Sequence, residues 1–201
     1  MTLQQNTSDW LEARRSKIGA SDAPAILNVD PFSTPYQKWE DKMGLRTVTQ
    51  TVAMKRGHDL EDVARQQLER LTGFFFLPDV KFHKSIPYLM ASLDCIDPTG
   101  TVIAEIKCPS KACHQVAHNG EVPDRYYPQL QHQLEVCELE MGYYFSWHGG
   151  DGVLVKVYRN DQYIKQMLEK EERFFECMQK KVPPPLIDRE YVKKDGALWG
   201  I

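Results

Sequence analysis

The chain has 201 residues, 42% of them hydrophobic and 26% charged, and a formal net charge of −3. This is length enough for one domain with a real core and an ordinary composition for a soluble globular protein, which excludes fibrous and low-complexity chains. Apolar runs such as Phe74-Phe75-Phe76-Leu77 are too short to cross a bilayer, MTLQQNTSDW lacks the basic-then-apolar pattern of a signal peptide, and five cysteines form an odd set, so a cytoplasmic location with reduced thiols is expected. An acidic net charge does not by itself point to nucleic acid. It also does not exclude it, because Arg14-Arg15-Ser16-Lys17, Lys55-Arg56, Lys180-Lys181 and Lys193-Lys194 form local basic clusters.

In chain order, the sequence predicts a short helix over Asp9 to Arg15 and a second one starting at Ser21, with its hydroxyl as N-cap. Thr34-Pro35-Tyr36-Gln37 combines a capping box with a proline in the first turn, so Tyr36 to Met43 should be helical and end at Gly44. A longer helix follows from about Ala53 to Thr72, with Leu60, Val63, Ala64, Leu68 and Leu71 at helical spacing and Gly73 as its stop. Phe74 to His83 reads as a strand interrupted by Pro78. Tyr88 to Ile96 and Val102 to Lys107 read as a hairpin around Asp97-Pro98-Thr99-Gly100. Asp124 is expected to cap a helix that runs to about Leu139. Gly142 to Trp147 and Val153 to Tyr158 form a second hairpin, and a helix from about Asp161 to Lys181 precedes a tail from about Pro183. The order implies one α/β domain over residues 1–201, with a central mixed sheet flanked by helices.

The segment SLDCIDPTGTVIAEIK, Ser92 to Lys107, is the part of the chain that suggests chemistry. Asp94 precedes the turn, and Glu105 and Lys107 follow it on one face of a strand, because strand side chains alternate. Phosphodiester hydrolysis needs an activated water and neutralisation of phosphate charge, which two Mg²⁺ ions can supply. Mg²⁺ takes hard oxygen ligands, for which Asp94, Glu105 and the Ile106 backbone carbonyl are candidates; Lys107 would orient the water or stabilise developing charge. Taken alone, a Glu-x-Lys pair on a strand is more often a solvated face with an ion pair.

Four blocks together resemble the phage lambda exonuclease family, also called YqaJ-like viral recombinases, within the PD-(D/E)xK nuclease superfamily. They are Arg14-Arg15-Ser16-Lys17-Ile18-Gly19-Ala20-Ser21; Gly57-His58-Asp59-Leu60-Glu61; Ser92-Leu93-Asp94 with Glu105-Ile106-Lys107-Cys108-Pro109; and Tyr127-Pro128-Gln129-Leu130-Gln131. Leu93 stands where the superfamily motif has proline. The resemblance implies a PD-(D/E)xK core in which Asp94, Glu105, the Ile106 carbonyl and Glu61 hold metal, two Mg²⁺ ions that Mn²⁺ can replace, with Lys107 catalytic. Asp62 is an equally available acid beside Glu61. One of Gln129 and Gln131 should reach the site, Gln129 by the resemblance, since residues two apart do not share a helix face. Arg14, Ser21 and Ser92 would bind a 5′ phosphate, with Arg15 as the alternative to Arg14 if the register slips. A further basic residue expected after Cys108-Pro109 has only Lys111 as a near match.

By the same resemblance the expected activity is 5′→3′ digestion of double-stranded DNA ends to mononucleotides. It would leave a 3′ overhang for a single-strand annealing partner, with the enzyme a homotrimeric ring in a bacterial host cell and of phage or prophage origin. Competing readings are a structure-specific endonuclease of the same superfamily and a catalytically silent DNA-end-binding scaffold. Trp10 or Phe74-Phe75-Phe76 are candidate wedges at the duplex fork. Cys108, Cys113, His114 and His118 superficially resemble a zinc cluster, but they lack the loop between ligand pairs of a zinc finger, so free thiols are expected.

Overall fold

Side-chain oxygens fix most of the helix starts. Thr7, Thr34, Thr51 and Asn160 each accept the backbone N–H three residues on, from Trp10, Gln37, Met54 and Tyr163, giving partners to donors that have none within the helix. The computed structural model describes residues 3–47 and 51–187; the Lys193-Lys194 cluster and the end of the tail lie outside them. Its elements are α1 (Ser8–Ser16), β1 (Ile18–Gly19), a 3-10 turn (Ala20–Asp22), α2 (Ala23–Ile26), α3 (Pro35–Met43), α4 (Val52–Thr72), β2 (Leu77–Phe82), β3 (Leu89–Ile96), β4 (Ile103–Lys107), α5 (Lys111–His118), α6 (Tyr127–Cys137), β5 (Met141–His148), β6 (Asp151–Tyr158) and α7 (Asp161–Lys180). Gly44 and Gly73 stop α3 and α4 in left-handed backbone at φ 70° and 73°, where a residue with a Cβ is strained.

Four expectations need correction. Ser21 is not an N-cap: the turn begins on Gly19, whose N–H donates to the Asp22 carboxylate at 2.9 Å. Asp124 sits in the turn before α6, which starts at Tyr127 and ends at Cys137, short of Leu139. Val63 and Leu71 are 46% and 58% exposed, so the buried stripe of α4 is narrower than its apolar pattern and rests on Ala64 and Leu68. Helix α5 was not anticipated, because its buried face is Cys113, His114 and Ala117, small or polar residues that give little hydrophobic periodicity.

The sheet runs β1-β3-β4-β5-β6, with β2 also paired to β3. β3 is antiparallel to both β2 and β4, β4 is parallel to β5, and β5 is antiparallel to β6. Pro78 lies at a register shift in β2, an outer strand where a missing N–H is tolerated. Met90 pairs with both Phe82 and Gly19, and Ile96 with both Leu77 and Ile103. β2 therefore takes one edge of β3, while β1 and β4 share the other edge at opposite ends. On that edge, between β1 and β4, Ala91 to Asp94 have no rung among the described pairings, while Ala91, Ser92 and Leu93 pair with Lys81, Val80 and Asp79 of β2 on the other edge.

α4 covers one face of the sheet, Ala64 and Leu68 packing with Phe76, Cys95, Ala104, Ile106 and Phe145. The opposite face is covered by α2, α6 and α7 through Ile26, Leu130, Leu134, Phe174 and Met178 over Leu93, Tyr144 and Val157. β5 and β6 join by a two-residue turn, Gly149-Gly150, in left-handed backbone.

A fully buried pair ties α6 to α7 and β3. His132 Nδ1 lies 2.8 Å from Glu171 Oε1, and its Nε2 donates to the Met90 carbonyl at 3.0 Å. Burial disfavours the imidazolium, but the Glu171 charge and the hydrogen bonds outweigh it, so the His132 pKa rises above its ordinary 6.5. A raised folded-state value stabilises the fold fully below the unfolded value and progressively less as pH climbs through the folded one. Urea denaturation should therefore show stability falling as pH rises from about 6.5. Glu171→Leu, which strands the buried ring, should cost about 3 kcal/mol or more and remove that pH dependence.

Candidate active site at the fork between β3 and β4

The last rung between β3 and β4 is Cys95 opposite Ala104. One step further Asp94 and Glu105 would face each other, and there the ladder gives way. The Ile106 N–H, which needs a partner at this edge, donates instead to Asp94 Oδ2 at 2.9 Å. Because the N–H and C=O of one strand residue point to the same edge, the Ile106 carbonyl is also turned towards the opening. Lys107, two residues from Glu105 and on the same face, reaches Glu105 Oε1 at 2.5 Å.

Glu105 is 1% exposed, and a carboxylate so buried must be surrounded by donors. α6 supplies two of them: Gln129 Nε2 donates to Oε1 at 2.6 Å and Gln133 Nε2 to Oε2 at 2.5 Å. These residues are four apart and share one helix face. Gln131 points elsewhere, donating to the Tyr158 carbonyl and accepting from the Asn160 N–H, both at 2.9 Å. Gln133 escaped the sequence reading, although its spacing from Gln129 was an available signal.

Burial and the nearby carboxylates of Glu105 and Glu61 push the Asp94 pKa well above the usual carboxylate range, against the opposing effects of Lys107 and the Ile106 N–H. For Lys107, burial alone would lower the pKa, but Glu105 and Asp94 outweigh it and raise it, so the side chain is a cation. Glu61 approaches from α4. Its Oε1 accepts from Arg65 at 2.7 Å, and the same guanidinium donates to the Asp94 carbonyl at 3.2 Å. The neighbouring Asp62 also binds Arg65 but is exposed. Three acids in mutual electrostatic reach and a carbonyl at the fork form a surplus of hard, negative oxygen, and the residues present fit a Mg²⁺-class ion.

Beside Asp94 on the same face of β3 lies Ser92, whose Oγ accepts from the Trp10 indole at 2.8 Å. Arg14 stacks over the Trp10 ring at 4.8 Å and donates to Ser21 Oγ at 3.0 Å. Each serine accepts one bond, which leaves its O–H free to donate outwards. Arg15 instead lies against Gly44. This group rests on Lys42, whose buried ammonium binds Asp22 at 2.5 Å and donates to the carbonyls of Arg14 and Lys17. Trp10 is buried and so is no wedge, whereas Phe74 and Phe75 are exposed. Lys111 is exposed at the start of α5.

A central mixed sheet flanked by helices is the α/β architecture that this chain shares with alkaline exonuclease structures. The structure matches LHK-Exo from Laribacter hongkongensis with a TM-score of 0.73 at 21% identity, covering 87% of this chain and 94% of that one. LHK-Exo in complex with dAMP matches at 0.74 with the same identity and coverage. A phage-related exonuclease from Haemophilus somnus 129PT matches at 0.58 and 12% identity, over 82% of this chain and 96% of that one. Residues 9–140 match the YqaJ-like viral recombinase domain, and the chain belongs to that family. The YqaJ protein of Bacillus subtilis (strain 168) is 28% identical over 95% of this chain, which spans 64% of that protein's length.

The Glu105 environment sets an expectation for stability. Gln133→Leu removes a donor from a buried carboxylate and should cost about 1–3 kcal/mol in urea denaturation. Gln131→Leu, far from Glu105, should cost no more than its two backbone bonds.

Proposed function

We propose that this chain is a divalent-metal-dependent 5′→3′ exonuclease acting on double-stranded DNA ends, releasing 5′-mononucleotides and leaving a 3′ single strand. The observation that carries the reading is the pairing of the acidic fork with the Arg14 cluster on one strand face. Ser92 and Asp94 are two residues apart, roughly 6.6 Å along β3, which is on the order of one nucleotide step. A terminal 5′ phosphate held by Arg14, Ser21 and Ser92 would set the next phosphodiester at Asp94 and Glu105. The guanidinium forks onto phosphate oxygens and the free hydroxyls complete the cradle.

In this reading Asp94, Glu105, Glu61 and the Ile106 carbonyl hold two Mg²⁺ ions, which Mn²⁺ can replace. Bound there, the metal would supply an activated water and neutralise the scissile phosphate. Lys107 orients the attacking water or offers its ammonium to the charge that develops on the phosphate. Gln129 and Gln133 hold Glu105 in one orientation, with their amide N–H groups spent on its oxygens. The structural relatives named as exonucleases, and LHK-Exo in complex with dAMP, support the activity by analogy. A homotrimeric ring around DNA in a phage-infected host cell, handing the 3′ strand to an annealing protein, completes the proposal. The basic groups would line the channel while acids face outwards.

Digestion of linear duplex with and without a 5′ phosphate in Mg²⁺ tests the reading. Lys107→Ala should slow cleavage by about 10²–10³-fold or more with an unchanged fold, and full activity would remove Lys107 from the chemistry. Arg14→Ala should erase the preference for a 5′-phosphorylated end, while Arg15→Ala keeps it. Cutting of covalently closed plasmid would favour the endonuclease reading, and absence of any cleavage the scaffold.

A further inference from the structure

Two histidines of α5 and the acid that begins β6 meet on the outer side of the fold. His118 Nε2 lies 2.8 Å and His114 Nε2 3.2 Å from the same oxygen, Asp151 Oδ2. The three ligand atoms fall within 4.8 Å of one another. None of them belongs to the Asp94–Glu105 fork. We propose that His114, His118 and Asp151 form a second metal site, for Zn²⁺ or a similar imidazole-seeking ion, that clips α5 to the β5–β6 hairpin.

The local structure is built for such a site. Residues 114 and 118 stand one helical turn apart and so project from one face, as in helical zinc-binding histidine pairs. The glycine turn at 149–150 brings His148 and Asp151 opposite each other in register, which delivers the carboxylate to the helix. Zinc–nitrogen and zinc–oxygen bonds of about 2.0–2.2 Å in tetrahedral geometry put ligand atoms roughly 3.4 Å apart. The two Nε2–Oδ2 separations, 2.8 and 3.2 Å, need to open by only about half an ångström.

His114 also has the outer support that metal-binding imidazoles use. Its Nδ1 sits 2.7 Å from the hydroxyl of Ser146, a fully buried residue, which fixes the ring. In the tautomer that gives the Nδ1–H to Ser146, Nε2 presents its lone pair towards Asp151, the arrangement that a metal ion would bridge. Three protein ligands leave a fourth position open. The cysteines are not part of the set: Cys113 Sγ accepts from Arg125 at 3.6 Å. Ser146 is the register partner of Lys107 across the β4–β5 ladder, so a bound ion would stiffen the layer beside the fork.

Titration of the full chain with Co²⁺ in excess Mg²⁺, followed by visible absorption and displaced with Zn²⁺, tests the site independently of nuclease activity. One Co²⁺ per chain should give the intense bands of tetrahedral nitrogen and oxygen ligation, without the near-ultraviolet sulfur charge-transfer band. His118→Ala and Asp151→Asn, both at accessible positions, should weaken binding by about 100-fold or more, and Ser146→Ala by about 10–100-fold. The absence of a saturable tetrahedral signal, a signal untouched by these substitutions, or sulfur ligation would each overturn the proposal and leave a hydrogen-bonded triad only.

Discussion

The burial of the Glu105 carboxylate is the constraint on which the site depends. Desolvating a carboxylate costs several kcal/mol unless hydrogen bonds and opposite charge replace the lost water. Here Lys107, Gln129 and Gln133 do so together. Two of these donors come from α6, so the acid on the sheet dictates where that helix docks and how it is rotated. α6 is held in the same pose from its other sides, by Gln131 at the end of β6 and by His132 against Met90 and Glu171. The roughly three turns of this helix are thus committed, and it is buried nearly all round.

That arrangement explains what was legible in the sequence and what was not. The hairpin, its Asp97 turn and the acids flanking it could be read from turn formers and β-branched residues, because those signals are local. Asp97 indeed accepts the N–H groups of Thr99, Thr101 and Val102. Gly44 and Gly73 were equally plain as stops. The partners of Glu105 were harder, since a helix buried on all sides has no apolar stripe, and its glutamines look like surface residues. α5 failed for a related reason: a helix whose inner face is cysteine, histidine and alanine resembles a loop in hydropathy.

Charge burial was the least visible feature. Asp22 and Lys42 form an ion pair with both side chains nearly inaccessible. Burial would raise the Asp22 pKa, but Lys42, Lys38 and Arg14 outweigh it and hold the acid ionised. In sequence the two residues are ordinary surface charges in different segments. In the structure Lys42 collects the carbonyls of Arg14 and Lys17 at the end of α1. It thereby sets the backbone that aims Arg14 at Ser21, and a buried pair retained where an apolar one would be cheaper is explained by that orienting role.

The two halves of the site have opposite electrostatic character and share one strand. Around Asp94, burial and the carboxylates of Glu105 and Glu61 raise the pKa of the acid well above its usual range, a condition that a cation relieves. Around Ser92 a guanidinium and two hydroxyls present donors, and Asp22, the acid in electrostatic reach of Arg14, is already bound by Lys38 and Lys42. β3 carries both because, with β2 holding one edge, its other edge is open over Ala91 to Asp94, where β1 has ended and β4 has turned away. An unbroken ladder would have filled that edge with backbone hydrogen bonds. The interruption in the sheet is therefore what leaves an opening for the side chains of two alternate β3 residues, Ser92 and Asp94, to face together.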